Sequence, residues 1–187
     1  YTLDWGTPGI FGWYASGDSG NTHHDGSLGR LPVIGADGGF QPTSFGTAVY
    51  YGIGNGANSA RISNTGTGTW GIGIQLADVS FVENLTHTLR LAYYRGTNDA
   101  DLINSSQRFL RYDSDTLYLT DKDSVIEVNF DHVYKFNENF ETALEFGYLY
   151  LDADEATWEG RKVPRDGDGY DSKDHAWKAQ INFRYSF

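Results

Sequence analysis

The sequence predicts an all-β fold of antiparallel strands rolled into a membrane-spanning barrel, and three observations lead there. Six segments alternate apolar and polar residues with a period of two. The connections between them alternate between short and long. On the apolar faces, rings gather toward the strand ends with aliphatic residues between. Bulk composition agrees. The 187 residues fit one domain, 1–187, and are 16% aromatic with 23 glycines, yet the mean hydropathy is only −0.49. That mixture suits short alternating strands better than helices or long apolar runs.

The opening "YTLDWGTPGIFGWYAS" is expected to be a long strand bulged near Pro8–Gly9, with its facing left open. Residues 17–65 form a long extracellular or infolded loop, too long for passive filler. It acts either as a constriction or, through the strand-like stretch from residue 46 to 63, as an extra hairpin. The strand count is therefore six to eight. "TWGIGIQLA" sets Trp70, Ile72, Ile74 and Leu76 against Gly71, Gly73, Gln75 and Ala77. After a short connection at 78–85, "THTLRLAYYR" sets Leu89, Leu91 and Tyr93 against Thr88, Arg90, Ala92 and Tyr94.

A second long connection, 97–122, leads into "VIEVNFDHVYKF". Ile126, Val128, Phe130, His132, Tyr134 and Phe136 share one face of it, and Glu127, Asn129, Asp131 and Lys135 the other. The tight "NEN" at 137–139 turns into "FETALEFGYLYL", with Phe140, Leu144, Phe146, Tyr148 and Tyr150 against Glu141, Glu145 and Gly147. The last long connection is 153–174. The closing "HAWKAQINFRYSF" alternates Trp177, Ala179, Ile181, Phe183, Tyr185 and Phe187 with Lys178, Gln180, Asn182 and Arg184. Short turns then fall at one rim and long loops at the other, as in outer-membrane barrels.

Lipid outside is preferred to a soluble core because the rings are sorted by height. Trp70, Tyr93, Tyr148, Tyr150 and Trp177 lie near the long-loop ends. Tyr134, Phe136, Phe140, Phe183, Tyr185 and Phe187 lie near the short-turn ends. This is the layering of two interfacial girdles. His132 is the poor fit on that face. No stretch of about 18 apolar residues exists, so crossing by a helix is excluded. A net charge of −11 and a pI near 4.7 argue against nucleic acid as a partner. With no cysteine, thiol chemistry is excluded. Tyr1 falls directly into strand-like sequence, which suggests a processed or truncated start.

Charged residues in mid-strand on the polar faces are the candidate pore lining: Arg90, Glu127, Asp131, Lys135, Glu141, Glu145, Lys178 and Arg184. Opposed charges across a pore set a transverse field and tune ion selectivity, and four of each sign predict weak selectivity. The bland reading is cross-strand pairing that fills space. Acidic connections such as "DADEATWEG" are expected to be solvated loops. "DGDGYDSKD" makes Asp166, Asp168 and Asp171 a candidate Ca2+ loop, although Tyr170 occupies a ligand position of the EF-hand pattern and no bidentate Glu follows. None of the five histidines sits in a nucleophile setting, so no enzyme activity is expected.

"FRYSF" at the end resembles the assembly signal of bacterial outer-membrane barrels. "LDWGTPGIFGWYASGD", "GTWGIGIQL", "HTLRLAYYRGTND", "YLTDKDSVIEVNFDHVYKFNENF" and "LEFGYLYLDADEATW" resemble the outer membrane homotrimeric porins of sulfate-reducing bacteria. That resemblance implies the carboxy-terminal part of a barrel of about sixteen strands. It also implies a homotrimer in the outer membrane, in contact with lipid and lipopolysaccharide. Assembly machinery would read Phe187, and small hydrophilic solutes and ions would diffuse passively through a water-filled pore without a cofactor. Ca2+ at the acidic loops is the one ion left open. The alternatives are a small closed eight-strand barrel with a structural, anchoring or adhesion role and a barrel-embedded hydrolase.

Overall fold

Among the described residues, period-two sequences rich in β-branched and aromatic residues form the long strands. The computed structural model describes residues 3–17, 61–62, 68–101, 116–117, 119–158 and 173–187. The long strands are β1 (Thr7–Tyr14), β3 (Thr69–Val82), β4 (Leu85–Gly96), β6 (Ser124–Lys135), β7 (Phe140–Asp152) and β8 (Lys173–Tyr185). They form one antiparallel sheet in the order β1-β3-β4-β6-β7-β8. Two two-residue strands, β2 (Arg61–Ile62) and β5 (Thr116–Leu117), pair in parallel as a separate sheet. One helical turn, α1 (Glu155–Trp158), follows β7.

The sheet is not closed into a barrel. Among the described residues β1 and β8 each have a single neighbour, so the sheet is open. Six strands are too few, since the smallest single-chain bacterial barrels have eight. The loop at 17–65 and its hairpin lie outside the described residues, apart from Gly17 and β2. What is seen of it, Arg61–Ile62, joins Thr116–Leu117 rather than widening the main sheet.

Two local expectations are corrected. β1 runs in continuous register from Thr7↔Ala77 to Tyr14↔Trp70, so no bulge occurs at Pro8–Gly9. Proline is tolerated there because β1 is an edge strand. The irregularity lies further along β3, where the register against β4 shifts on either side of Val79. Most of the stretch from 78 to 85 is therefore strand rather than connection. Asp78 and Asn84 take φ of 57° and 62°, a left-handed conformation that Asp and Asn tolerate better than most residues. The connection itself shrinks to Glu83–Asn84. The turn from β6 to β7 is held by Asn137, whose Oδ1 accepts hydrogen bonds from the amides of Asn139 and Phe140, each at 2.9 Å.

One face of the sheet is buried and the other exposed, and the polar face is the buried one. On β6, Glu127, Asn129 and Asp131 are buried, whereas Ile126, Phe130 and Tyr134 are exposed. β1, whose facing the sequence left open, directs Phe11 and Trp13 to the buried side and Ile10 and Tyr14 outward.

Candidate functional site

The antiparallel register builds the buried face in rows. Across β4, β6, β7 and β8 one row reads Thr88, Asp131, Glu145, Gln180, and the next reads Arg90, Asn129, Gly147, Lys178. Arg90 lies diagonally from Asp131, and their side chains meet in a salt bridge on the half-buried guanidinium. Glu127 is wholly buried with both oxygens occupied. Oε2 accepts the Tyr94 hydroxyl at 3.0 Å and Oε1 accepts the Asn129 amide at 2.9 Å. Gln180 donates to Asn182 at 2.7 Å. Lys178, half-buried opposite Gly147, sits in the field of Glu145, Glu127 and Asp131.

Lys135, Glu141 and Arg184 share the last row, at the short-turn rim. Arg184 and Glu141 approach to 3.6 Å with the arginine side chain 59% exposed, a pair worth at most about 1 kcal/mol. These three line an open hollow of about 570 Å³ together with Asn84, Phe136 and Phe140. The eight charges proposed from sequence thus split into two groups. Five lie in mid-sheet, where Arg90 and Lys178 face Glu127, Asp131 and Glu145, and three form the rim. The eight remain balanced overall, with an acidic excess of one in the middle and a basic excess of one at the rim.

Toward the long-loop end the buried face turns apolar. Ala92, Tyr94, Leu119, Val125, Leu149, Leu151, Ala153 and Trp158 form one cluster, with Phe11 and Trp13 packed on it. Glycines make room for the β1 rings: a Cβ at Gly71 would collide with the Trp13 ring, and one at Gly73 with Phe11. Trp13 in turn donates its indole hydrogen to Thr69 Oγ1 at 3.0 Å.

Above this cluster, Asp123 is fully buried and accepts four hydrogen bonds. Oδ1 takes Trp158 Nε1 at 2.9 Å and the Asp154 amide at 2.8 Å. Oδ2 takes the Thr120 amide at 2.8 Å and hydroxyl at 2.7 Å. Asp154 caps α1 by accepting the Thr157 amide and hydroxyl. The Thr157 hydroxyl hydrogen bond outweighs desolvation and, with the Thr157 amide and the charge of Lys122 adding to it, holds the Asp154 carboxyl below its ordinary range. "DADEATWEG" is thus a capped turn that buries a tryptophan, not wholly a solvated loop. The missed signal was a Trp directly following the D-x-x-T of the cap.

The exposed face carries the proposed girdles. Trp70 meets Tyr93 edge-on at 5.8 Å near the long-loop end, where Tyr148, Tyr150 and Trp177 share that face. At the other end rings run from Tyr134 to Phe136, Phe140 and Phe183, with Tyr185 against Phe187. The sorting is imperfect, since Phe130 and Phe146 oppose one another in mid-sheet and are about 40% exposed. Phenylalanine has no polar group that needs an interface, unlike tyrosine and tryptophan. Asp166, Asp168 and Asp171 lie outside the described residues.

Comparison with protein-family models, with curated proteins and with solved structures returned no match.

Proposed function

We propose that this chain is part of an outer-membrane porin, a subunit that lets small hydrophilic solutes and ions diffuse through a water-filled pore. The carrying observation is the inverted sheet, which buries Glu127, Asp131 and Glu145 and exposes Ile74, Leu91, Trp177 and Ile181. In water this arrangement is costly on both faces, because charges are desolvated and apolar area stays wet. In a bilayer the exposed apolar face carries no such cost, and the buried carboxylates are engaged on their own face, Glu127 by Tyr94 and Asn129, and Asp131 by Arg90. Strand length agrees. Twelve to fourteen residues at about 3.3 Å each, tilted by about 45°, span about 28–33 Å, near the hydrocarbon thickness.

On this reading the exposed face meets lipid, lipopolysaccharide or a neighbouring subunit of a homotrimer. Further strands complete the barrel on the edges of β1 and β8, and the terminal Phe187 serves the assembly machinery. Glu127, Asp131 and Glu145 outnumber Arg90 and Lys178, so the pore prefers cations mildly. Purified protein in planar bilayers is expected to give discrete, voltage-independent conductance steps. Absence of conductance from the pure protein would count against the reading.

A second reading is a barrel with a structural, anchoring or adhesion role. One observation favours it: Trp158, Tyr94, Leu149 and Leu151 pack into an apolar cluster on the face that a pore would need open. It predicts a correctly inserted protein without conductance.

A further inference from the structure

His87 on β4 and His132 on β6 are directly opposed in the ladder, both on the exposed face. Their Nδ1 atoms lie 2.6 Å apart, and the rings stand edge to face at 4.8 Å. Nδ1–H of one ring therefore donates to the Nδ1 lone pair of the other. Phe130 packs against His132 at 4.2 Å and beside His87 at 6.1 Å, which fixes both ring planes. Both histidines are half-buried. The Asp131 carboxylate next in sequence points to the opposite face and is engaged by Arg90.

We propose that His87 and His132 form a two-imidazole site for a late first-row divalent cation, with Zn2+, Cu2+ and Ni2+ as its class. Imidazole is a preferred ligand for these ions. Two nitrogens each about 2.0–2.1 Å from a tetrahedral Zn2+ stand about 3.3 Å apart. The rings need to part by only about 0.7 Å from their present contact, on a ladder that keeps their backbones in register. For both Nδ1 lone pairs to bind the metal, the hydrogen on the donating Nδ1 moves to a vacant Nε2 of its own ring or, where that nitrogen is already protonated, leaves to solvent. Solvent or a ligand from outside the chain fills the remaining positions. Among the described residues no group of three or more ligating side chains exists, so affinity is modest. The site rests on strand register and ring geometry, and on the porin reading it lies near the short-turn ends of β4 and β6, at the level of the membrane interface where water is within reach.

The test is Zn2+ titration of the purified full chain in detergent, by competition with a chromophoric chelator. The adjacent His23–His24 pair is first removed by a His23→Ala/His24→Ala background. One equivalent of Zn2+ is expected to bind in that background. His87→Ala or His132→Ala is then expected to weaken binding at least about tenfold, as losing one of two imidazoles demands. His175→Ala, away from the pair, leaves it unchanged. His87→Gln and His132→Gln keep side-chain volume and carry the same expectation should an alanine variant fail to fold. Unchanged binding in the His87 and His132 variants, or no binding in the background at millimolar Zn2+, overturns the proposal.

Discussion

Ile126 and Glu127 are consecutive on β6, and the carboxylate is the buried one: Glu127 has no solvent exposure, whereas Ile126 is 44% exposed. The alternation continues through Val128, Asn129, Phe130 and Asp131. A sheet in water gains stability by the opposite arrangement. Glu127 tolerates its position because Tyr94 and Asn129 satisfy both of its oxygens. Nothing comparable offsets the exposed isoleucines and leucines, and lipid is the environment in which they need no offset.

Leu91, near the centre of β4 and 43% exposed, separates the two environments. Leu91→Lys is expected to destabilise the protein in vesicles by about 2–4 kcal/mol if the face meets the bilayer midplane. A water-exposed surface would register about 0.5 kcal/mol or less. Reversible denaturant unfolding in lipid vesicles reads the difference.

Asp123 gathers four donors at the long-loop end. Asp123→Ala leaves Trp158 Nε1 and two backbone amides without their acceptor in a buried setting, at an expected cost of about 2–5 kcal/mol. Trp158→Ala opens a cavity in the same cluster and is expected to cost about 3–5 kcal/mol. Because the two residues touch, the double variant should fall short of the sum. Thermal unfolding monitored by circular dichroism checks all three.

Arg90 is the cation that faces Asp131. Arg90→Gln leaves three mid-sheet carboxylates against Lys178 alone, and on the porin reading the reversal potential in a salt gradient shifts toward stronger cation selectivity. It should also lower stability by about 3–5 kcal/mol, since it strips a buried charge of its partner. A stability loss with no change in selectivity would restrict Arg90 to a structural role.

The strands were largely legible in the sequence because their period is two and the register follows from it. Four of the six segments match an observed strand to within two residues at each end, the opening strand beginning later and β3 ending later than expected. The β3 end was missed because Asp78 and Asn84 look like turn residues, and Asp78 instead bends a strand that continues to Val82. The faces of Arg90, Glu127, Asp131, Glu145 and Lys178 were legible for the same reason. The Asp123–Trp158 corner was not, because its contacts join residues 31 and 35 positions apart across irregular backbone. The His87–His132 contact needed the pairing of β4 with β6 in a specific register, which periodicity alone does not supply.

Asp154 links that corner to pH. Its carboxyl is held below the ordinary range by the Thr157 hydrogen bonds, so the folded state favours the ionised form. The stabilisation is complete above the unfolded carboxylate value, about 3.9, and is lost as pH falls through the lower folded value. Indole fluorescence of Trp158 should report loosening of α1 only in that acid range. Asp154→Ala should abolish the transition.

The most direct measurement uses the absence of cysteine from these 187 residues, so that an introduced thiol is the only one among them. Single cysteines at each position from 177 to 183 on β8, carrying a nitroxide label, are reconstituted into lipid vesicles. Collision with dissolved oxygen is then compared with collision by a water-soluble nickel chelate. The account predicts high oxygen and low chelate access at Trp177, Ala179, Ile181 and Phe183. At Lys178, Gln180 and Asn182 it predicts the reverse preference, in an alternation of period two. Equal chelate access at odd and even positions, or chelate access confined to the odd ones, would contradict it.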